Sequence, residues 1–271
     1  MDKIYVKWFQ RKSKLSFLGI TPKNFGDDLN PVLVERVSQK KAIRLDKVPK
    51  IIHKPCHLVV GSILHWADGN TIVWGPGFAN EGSKVLAPPL AIKAVRGPLT
   101  RQELIKSGVA CPEVYGDPAL LYPRLFDVIA TKKYKLGIIA HYAEAKNSFF
   151  KKWLNTQVKN SDDVKVISVA DSVDNVIRYI NECDAIASSS LHGIIIADSY
   201  NIPNIHVNFN GFVPHTQFKF YDYYLSVNKN YSGPFIVHGE TTVKNIIDKT
   251  NGDEINIDLD LLMQSCPFIK S

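Results

Sequence analysis

Short apolar runs bounded by Gly, Pro, Asn or Ser alternate along this chain with stretches whose apolar residues recur at helical spacing. In the first half the pattern predicts strands over residues 3–9, 58–60, 71–74, 91–95 and 113–115, and helices over 28–37, 98–107 and, more weakly marked, 62–67. In the second half strands are expected over 135–140, 165–168, 185–188 and 204–206, and helices over 147–157, 173–182 and 192–201, the last stopped by Pro203. Strand and helix alternating in both halves predict an α/β protein of two Rossmann-like, doubly wound domains that face a central cleft, each built on a mainly parallel sheet. Pro123, Arg124, Lys132 and Lys133 interrupt the pattern between 122 and 134, so the domains are expected over 1–128 and 129–271, with the C-terminal segment crossing back to the first. Ligands of such a fold bind at the carboxyl ends of the strands.

Composition narrows the class. A hydrophobic content of 45% with 22% charged residues is that of a globular protein, and no apolar run approaches the roughly 18 residues of a membrane span. The first six residues enter a strand pattern directly, without the regions of a signal peptide, so a cytoplasmic location is expected. Cys56, Cys111, Cys183 and Cys266 are scattered without a CxxC pair, which argues against structural zinc and a disulfide framework. The formal charge of +7 comes from Lys and Arg interleaved with Asp and Glu; no basic tract argues for nucleic acid, and the charge is read first as a solvated surface, with attraction to an anionic substrate or to the anionic inner leaflet as the functional alternatives.

The densest chemistry lies between Asp184 and Asp198. An apolar strand runs into Ser188, Ser189 and Ser190, and His192 follows in the first turn of a helix. Backbone N–H groups and the positive end of the helix dipole favour an anion there. Near the N-terminus Asn24, Phe25, Gly26 and Asp27 precede an apolar helical pattern: Gly26 is read as a turn, Asp27 as a helix cap or a carboxylate for sugar hydroxyls and protons. Gly75-Pro76-Gly77 makes a tight loop after a strand. Arg96 ends another strand where Pro98 opens a helix, so its guanidinium is read either as a grip for carboxylate or phosphate or as a solvated or domain-bridging arginine. Asp117, in Gly116-Asp117-Pro118, reads first as a turn residue. Aromatic residues around Lys219 and Asp222 suit either sugar stacking beside a cation or core packing.

Asn24-Phe25-Gly26-Asp27, Val95-Arg96-Gly97, Gly116-Asp117-Pro118-Ala119 and Ser190-Leu191-His192-Gly193 follow one another in this order. Together they resemble the polysaccharide pyruvyl transferase family over roughly residues 25–224, nearest the branch that forms pyruvate ketals on bacterial exopolysaccharide or capsule sugars. The resemblance implies a GT-B-like arrangement, phosphoenolpyruvate as donor, no cofactor and no required metal. It also implies a glycan acceptor, lipid-linked or polymeric, and with the former a peripheral contact with the inner membrane face. His192 is the expected general acid and Asp27 its partner. Arg96, Arg101, Ser190, Leu191 and Lys219 are expected on the donor, and Asn24, Gly26 and Asp117 on the acceptor. Many members carry Arg-Leu-His where this chain has Ser190-Leu191-His192, so Arg96, Arg101 and Lys219 are the cations expected to compensate. Two other readings stand beside this one: a glycosyltransferase using a nucleotide sugar, and a non-catalytic sugar-binding or scaffold protein of polysaccharide assembly.

Overall fold

The computed structural model describes residues 3–10, 23–45, 54–159, 161–209 and 217–269. Two five-stranded sheets, each parallel throughout, organise them. The first is built from β1 (Lys3–Val6), β2 (Lys41–Arg44), β3 (Cys56–Leu58), β4 (Thr71–Trp74) and β5 (Ala91–Ala94), in the order β2-β1-β3-β4-β5. Helices α1 (Phe25–Ser38), α2 (Pro98–Lys106) and the short α3 (Tyr122–Leu125) accompany it. The second sheet has β6 (Tyr134–Ile139), β7 (Val164–Val166), β8 (Cys183–Ser188), β9 (Asn204–Phe209) and β10 (Phe235–Val237), in the order β7-β6-β8-β9-β10. Its helices are α4 (Ser148–Gln157), α5 (Val173–Asn181), α6 (Leu191–Ser199), α7 (Phe218–Ser226) and α8 (Val243–Ile247); α9 (Leu259–Gln264) ends the chain's regular structure. Both sheets thus repeat one winding, second strand, first, third, fourth, fifth. The order reverses between β1 and β3 and again between β6 and β8, and a doubly wound sheet opens a crevice at such a reversal.

The segments leaving those reversals meet. Phe25, the first residue of α1 after β1, donates its N–H to the carbonyl of Val169, beyond the carboxyl end of β7, at 2.7 Å. One continuous core cluster runs from Val6, Phe25 and Leu29 to Ile139, Ile177 and Ile194, so side chains from both sheets share a single interior. Helix α6 is apolar almost all round, and Ile194, Ile195, Ile196 and Ala197 are buried, which fixes its start against the sheet. From the second sheet α7 reaches α2, and α9 reaches the first sheet, where the Trp74 indole donates to the Leu262 carbonyl at 3.0 Å. Among the described residues no helix is long and apolar enough to cross a membrane.

Several expectations shift locally. The strand expected over 58–60 runs instead over Cys56–Leu58 and ends short of Val60, which the side chain of Asn30 claims by accepting its N–H and donating to its carbonyl. The strand over 113–115 shrinks to a single bridge, Val95 to Tyr115, and the helix over 62–67 to the one 3₁₀ turn Leu64–Trp66. Edge strands β2 and β10, four and three residues long, are too short to stand out in the sequence.

Candidate active site

The first turns of α1 and α6 build the site. Asn24 precedes α1 in extended backbone and, rather than capping the helix with its side chain, donates its amide to the carboxylate of Asp27. Asp27 is half-buried beside His192. Burial pushes its pKa up to about 6, against the opposing pull of Asn24, His192 and Lys219. Gly26 lies under the imidazole: a Cβ there would stand 2.3 Å from His192 Nδ1. The expected turn at Gly26 is therefore corrected to a helical glycine that is needed for space, and the expected cap at Asp27 to Asn24. Gly26→Ala is expected to leave the melting temperature within a few degrees of wild type while displacing the ring and lowering turnover at least about 100-fold, read by thermal melts and steady-state kinetics on one preparation.

His192 is the second residue of α6. Its Nε2 lies 3.6 Å from Asp117 Oδ2, and neither atom has a hydrogen-bond partner. Asp117 is fully buried and spends Oδ1 on the Ala119 N–H at 3.0 Å, closing the 3₁₀ turn Pro118–Leu121. That turn is seated on Gly75, whose φ of 96° suits glycine and whose missing Cβ leaves room for the Pro118 ring. At the head of α6 Ser188 Oγ accepts from Ser190 N–H at 3.0 Å and donates to the Ser190 carbonyl at 2.8 Å. Ser190 then enters the helix without a side-chain cap. In this first turn the N–H groups of Leu191 and His192 have no intrahelical acceptor, so they and the helix dipole form an anion-attracting end.

Lys219, in the first turn of α7, completes the cluster. Burial and the nearby Arg96 hold its pKa down to about 8, while Asp27 and Glu144 pull it up. Glu144 sits on the 3₁₀ turn Glu144–Lys146 beyond β6; its side chain is buried and Oε1 accepts from Phe209 N–H at 3.2 Å. His206 lies flat on Phe220, with ring centroids 3.6 Å apart, and its Nδ1 is 2.6 Å from the Tyr231 hydroxyl. Burial and Lys219 push its pKa down to about 3, so it is neutral near pH 7.

This constellation can be placed among known proteins. The model of the family described as polysaccharide pyruvyl transferase matches residues 18–210. The chain belongs to that family. It is 30% identical over 217 residues to uncharacterized protein L143 of Acanthamoeba polyphaga mimivirus, a match covering 75% of this chain and 70% of that protein. It is 27% identical over 187 residues to the succinoglycan biosynthesis protein ExoV of Rhizobium meliloti strain 1021, covering 66% of this chain and 54% of ExoV, about half that relative's length. Among solved structures, the functionally uncharacterized protein KP1_0663 of Klebsiella pneumoniae aligns over 87% of this chain and 92% of its own, with a TM-score of 0.45 and 11% identity.

The pyruvyl transferase motifs do not all serve as the sequence suggests. Asn24, Gly26, Asp27, Ser190 and His192 converge on one site, and Lys219, beyond the family match, joins them. Leu191 contributes only its main chain, because its side chain is in the core. Asp117, expected on the acceptor, stands behind the imidazole with no exposure. Arg96, expected on the donor, is fully buried and committed: Nε and Nη2 meet Asp222 at 3.0 and 2.9 Å, Nη1 donates to Ser62 Oγ and Nη2 to the Phe78 carbonyl. Arg101 turns away, binding the Cys111 carbonyl and Glu113. Of the two readings of the aromatic residues around Lys219, core packing holds for Tyr223, which bonds Asp198, and for Tyr224, which stacks on Tyr231. Glu144 and His206 carried no motif. Their one signal is position, just beyond or near the carboxyl ends of β6 and β9.

Proposed function

We propose that this chain transfers pyruvate from phosphoenolpyruvate to two hydroxyls of one sugar in a surface polysaccharide or its lipid-linked precursor, closing a cyclic ketal and releasing phosphate across a GT-B-like cleft. The observation that carries the reading is the meeting of Asp27 and His192 from the starts of α1 and α6, with Gly26 making room and Asp117 behind the ring. Family membership and the succinoglycan role in the name of ExoV support it.

Each residue then has work suited to its place. The head of α6 at Ser190 and the ammonium of Lys219 hold the donor's anionic groups, taking the part of the arginine that many relatives carry. His192 gives a proton to the donor methylene, leaving the adjacent carbon an oxocarbenium-like electrophile. Asp117, too buried to touch a sugar, stands behind the imidazole and positions it. A sugar hydroxyl attacks as Asp27 takes its proton, with Asn24 steadying that carboxylate. Phosphate leaves, and the second hydroxyl closes the ring.

Asp27 and Lys219 set the pH behaviour. Asp27 becomes a base only as pH rises through about 6, and Lys219 loses its charge as pH rises through about 8. The expected kcat/KM profile is a bell between those values, and Asp27→Asn removes its acid limb along with most activity. Donor choice is tested by thermal-shift titration. Stabilisation by phosphoenolpyruvate and none by nucleotide sugars supports the reading, whereas a preference for a nucleotide sugar replaces it with glycosyl transfer.

A further inference from the structure

Five buried side-chain atoms among the described residues have no hydrogen-bond partner: Asp117 Oδ2, His192 Nε2, Glu144 Oε2, Asn208 Oδ1 and Tyr200 Oη. Buried polar atoms are nearly always paired, so such a set asks for an explanation. The first two face each other and serve the acid described above. Glu144 and Asn208 have no part in it. They share a corner, because the N–H that Glu144 Oε1 accepts belongs to the peptide joining Asn208 to Phe209.

The corner adjoins the head of α6, because Glu144 is bonded to Ser189. Along β9 the side chains alternate: Val207 and Phe209 enter the core with Leu136 and Phe150, while His206, on the other face with Asn208, lies on Phe220 of α7. Lys219, next to Phe220, interacts electrostatically with both Glu144 and Asp27. Phe209 N–H and the Ser189 hydroxyl anchor the Glu144 carboxyl, and burial raises its pKa. Glu144 Oε2 is left as a buried acceptor without a hydrogen-bond partner, within electrostatic reach of Lys219, as Asp27 is. A second buried carboxylate beside the donor's anionic groups only repels them, but it suits a hydroxyl that must lose a proton.

Resting on the pyruvyl-transfer reading, which needs two hydroxyls deprotonated in one site, we propose that Glu144 is the second base of the reaction. Its Oε2 takes the proton of the second hydroxyl while the Asn208 amide oxygen holds the same sugar. In the first step the proton of His192 forms a C–H bond at the donor methylene, the first hydroxyl oxygen bonds the adjacent carbon, and its proton goes to Asp27. In the second step the carbon–oxygen bond to phosphate breaks, the second hydroxyl oxygen bonds the same carbon, and its proton goes to Glu144. The Asp27 proton leaves on phosphate and the Glu144 proton returns to His192 through solvent, so protons balance over a turnover.

The test compares wild type with Glu144→Gln, which keeps an acceptor for Phe209 N–H but cannot take a proton. Two reactions are run in D₂O with phosphoenolpyruvate: one with the full acceptor, read as ketal and phosphate, and one with an acceptor lacking one of the two hydroxyls, read as deuterium entering the recovered donor's methylene. The proposal expects Glu144→Gln to keep the exchange and the KM for phosphoenolpyruvate near wild type while ketal formation falls at least about 100-fold. Retained ketal formation, or loss of exchange together with ketal, overturns it. Wild type that neither exchanges nor transfers fails the pyruvyl-transfer reading instead. Glu144→Asp, which keeps a carboxylate but withdraws it by one methylene, gives the same ratio of ketal to exchange a second test where Gln does not fold. Asn208→Ala is expected to raise the KM for the sugar several-fold and leave that for phosphoenolpyruvate unchanged.

Discussion

Replacing His192 by alanine is expected to lower turnover by about 10³-fold or more, within the range that a positioned general acid supplies, while the protein stays folded. The ring lies between Gly26 and Asp117, and the described His206 does not replace it, being held neutral against Phe220 and bonded to Tyr231. Helix α6 does not depend on it, since Ile194, Ile195 and Ile196 anchor the helix in the core. The loss should therefore fall on kcat, with donor binding nearly intact, because Lys219 and the helix head remain. Steady-state kinetics beside a thermal melt separates these effects. A variant that keeps a tenth or more of wild-type turnover would remove His192 from the role of acid.

Arg96→Ala is expected to act on the fold before it acts on the substrate. The change leaves the Asp222 carboxylate buried without its cation and strands Ser62 Oγ and the Phe78 carbonyl, a loss of about 3–5 kcal/mol for a broken buried ion pair. Asp222 also accepts the N–H and hydroxyl of Thr100 at 2.8 and 2.6 Å, so it caps α2 from α7 and ties elements of the two sheets together. Gly97 permits that approach, since a Cβ there would collide with the Asp222 carbonyl. Urea unfolding should show the drop for Arg96→Ala. Unchanged stability with a raised KM for phosphoenolpyruvate would return Arg96 to the donor site.

What the sequence made legible were features with local causes. The run from Asp184 into three serines and His192 announced a strand, a helix head and an imidazole, and the structure has β8, α6 and His192 there. Alternating periodicity disclosed two parallel sheets because buried parallel strands are apolar on both faces. Features set by distant partners stayed hidden. Arg96 stands at the sheet edge that its strand predicted, but its partner lies 126 positions away on α7, and no periodicity records that pairing. Asp117 reads as a turn residue and is one; its second task comes from His192, which only the packing of α6 against the Pro118–Leu121 turn supplies. Glu144 sits in an irregular stretch with no motif, and its importance lies in an oxygen left without a partner.

The central claim is pyruvyl transfer that begins with protonation of the donor methylene, and one measurement addresses it. Purified protein is incubated in D₂O with phosphoenolpyruvate and a panel of lipid-linked and free hexose acceptors, and phosphate release, acceptor mass and the proton spectrum of the product are recorded. Acceptor-dependent phosphate release, a pyruvate-sized mass gain and a single deuteron in the ketal methyl group is the predicted result. Sugar transfer from a nucleotide sugar, with phosphoenolpyruvate left intact by every acceptor, would contradict it.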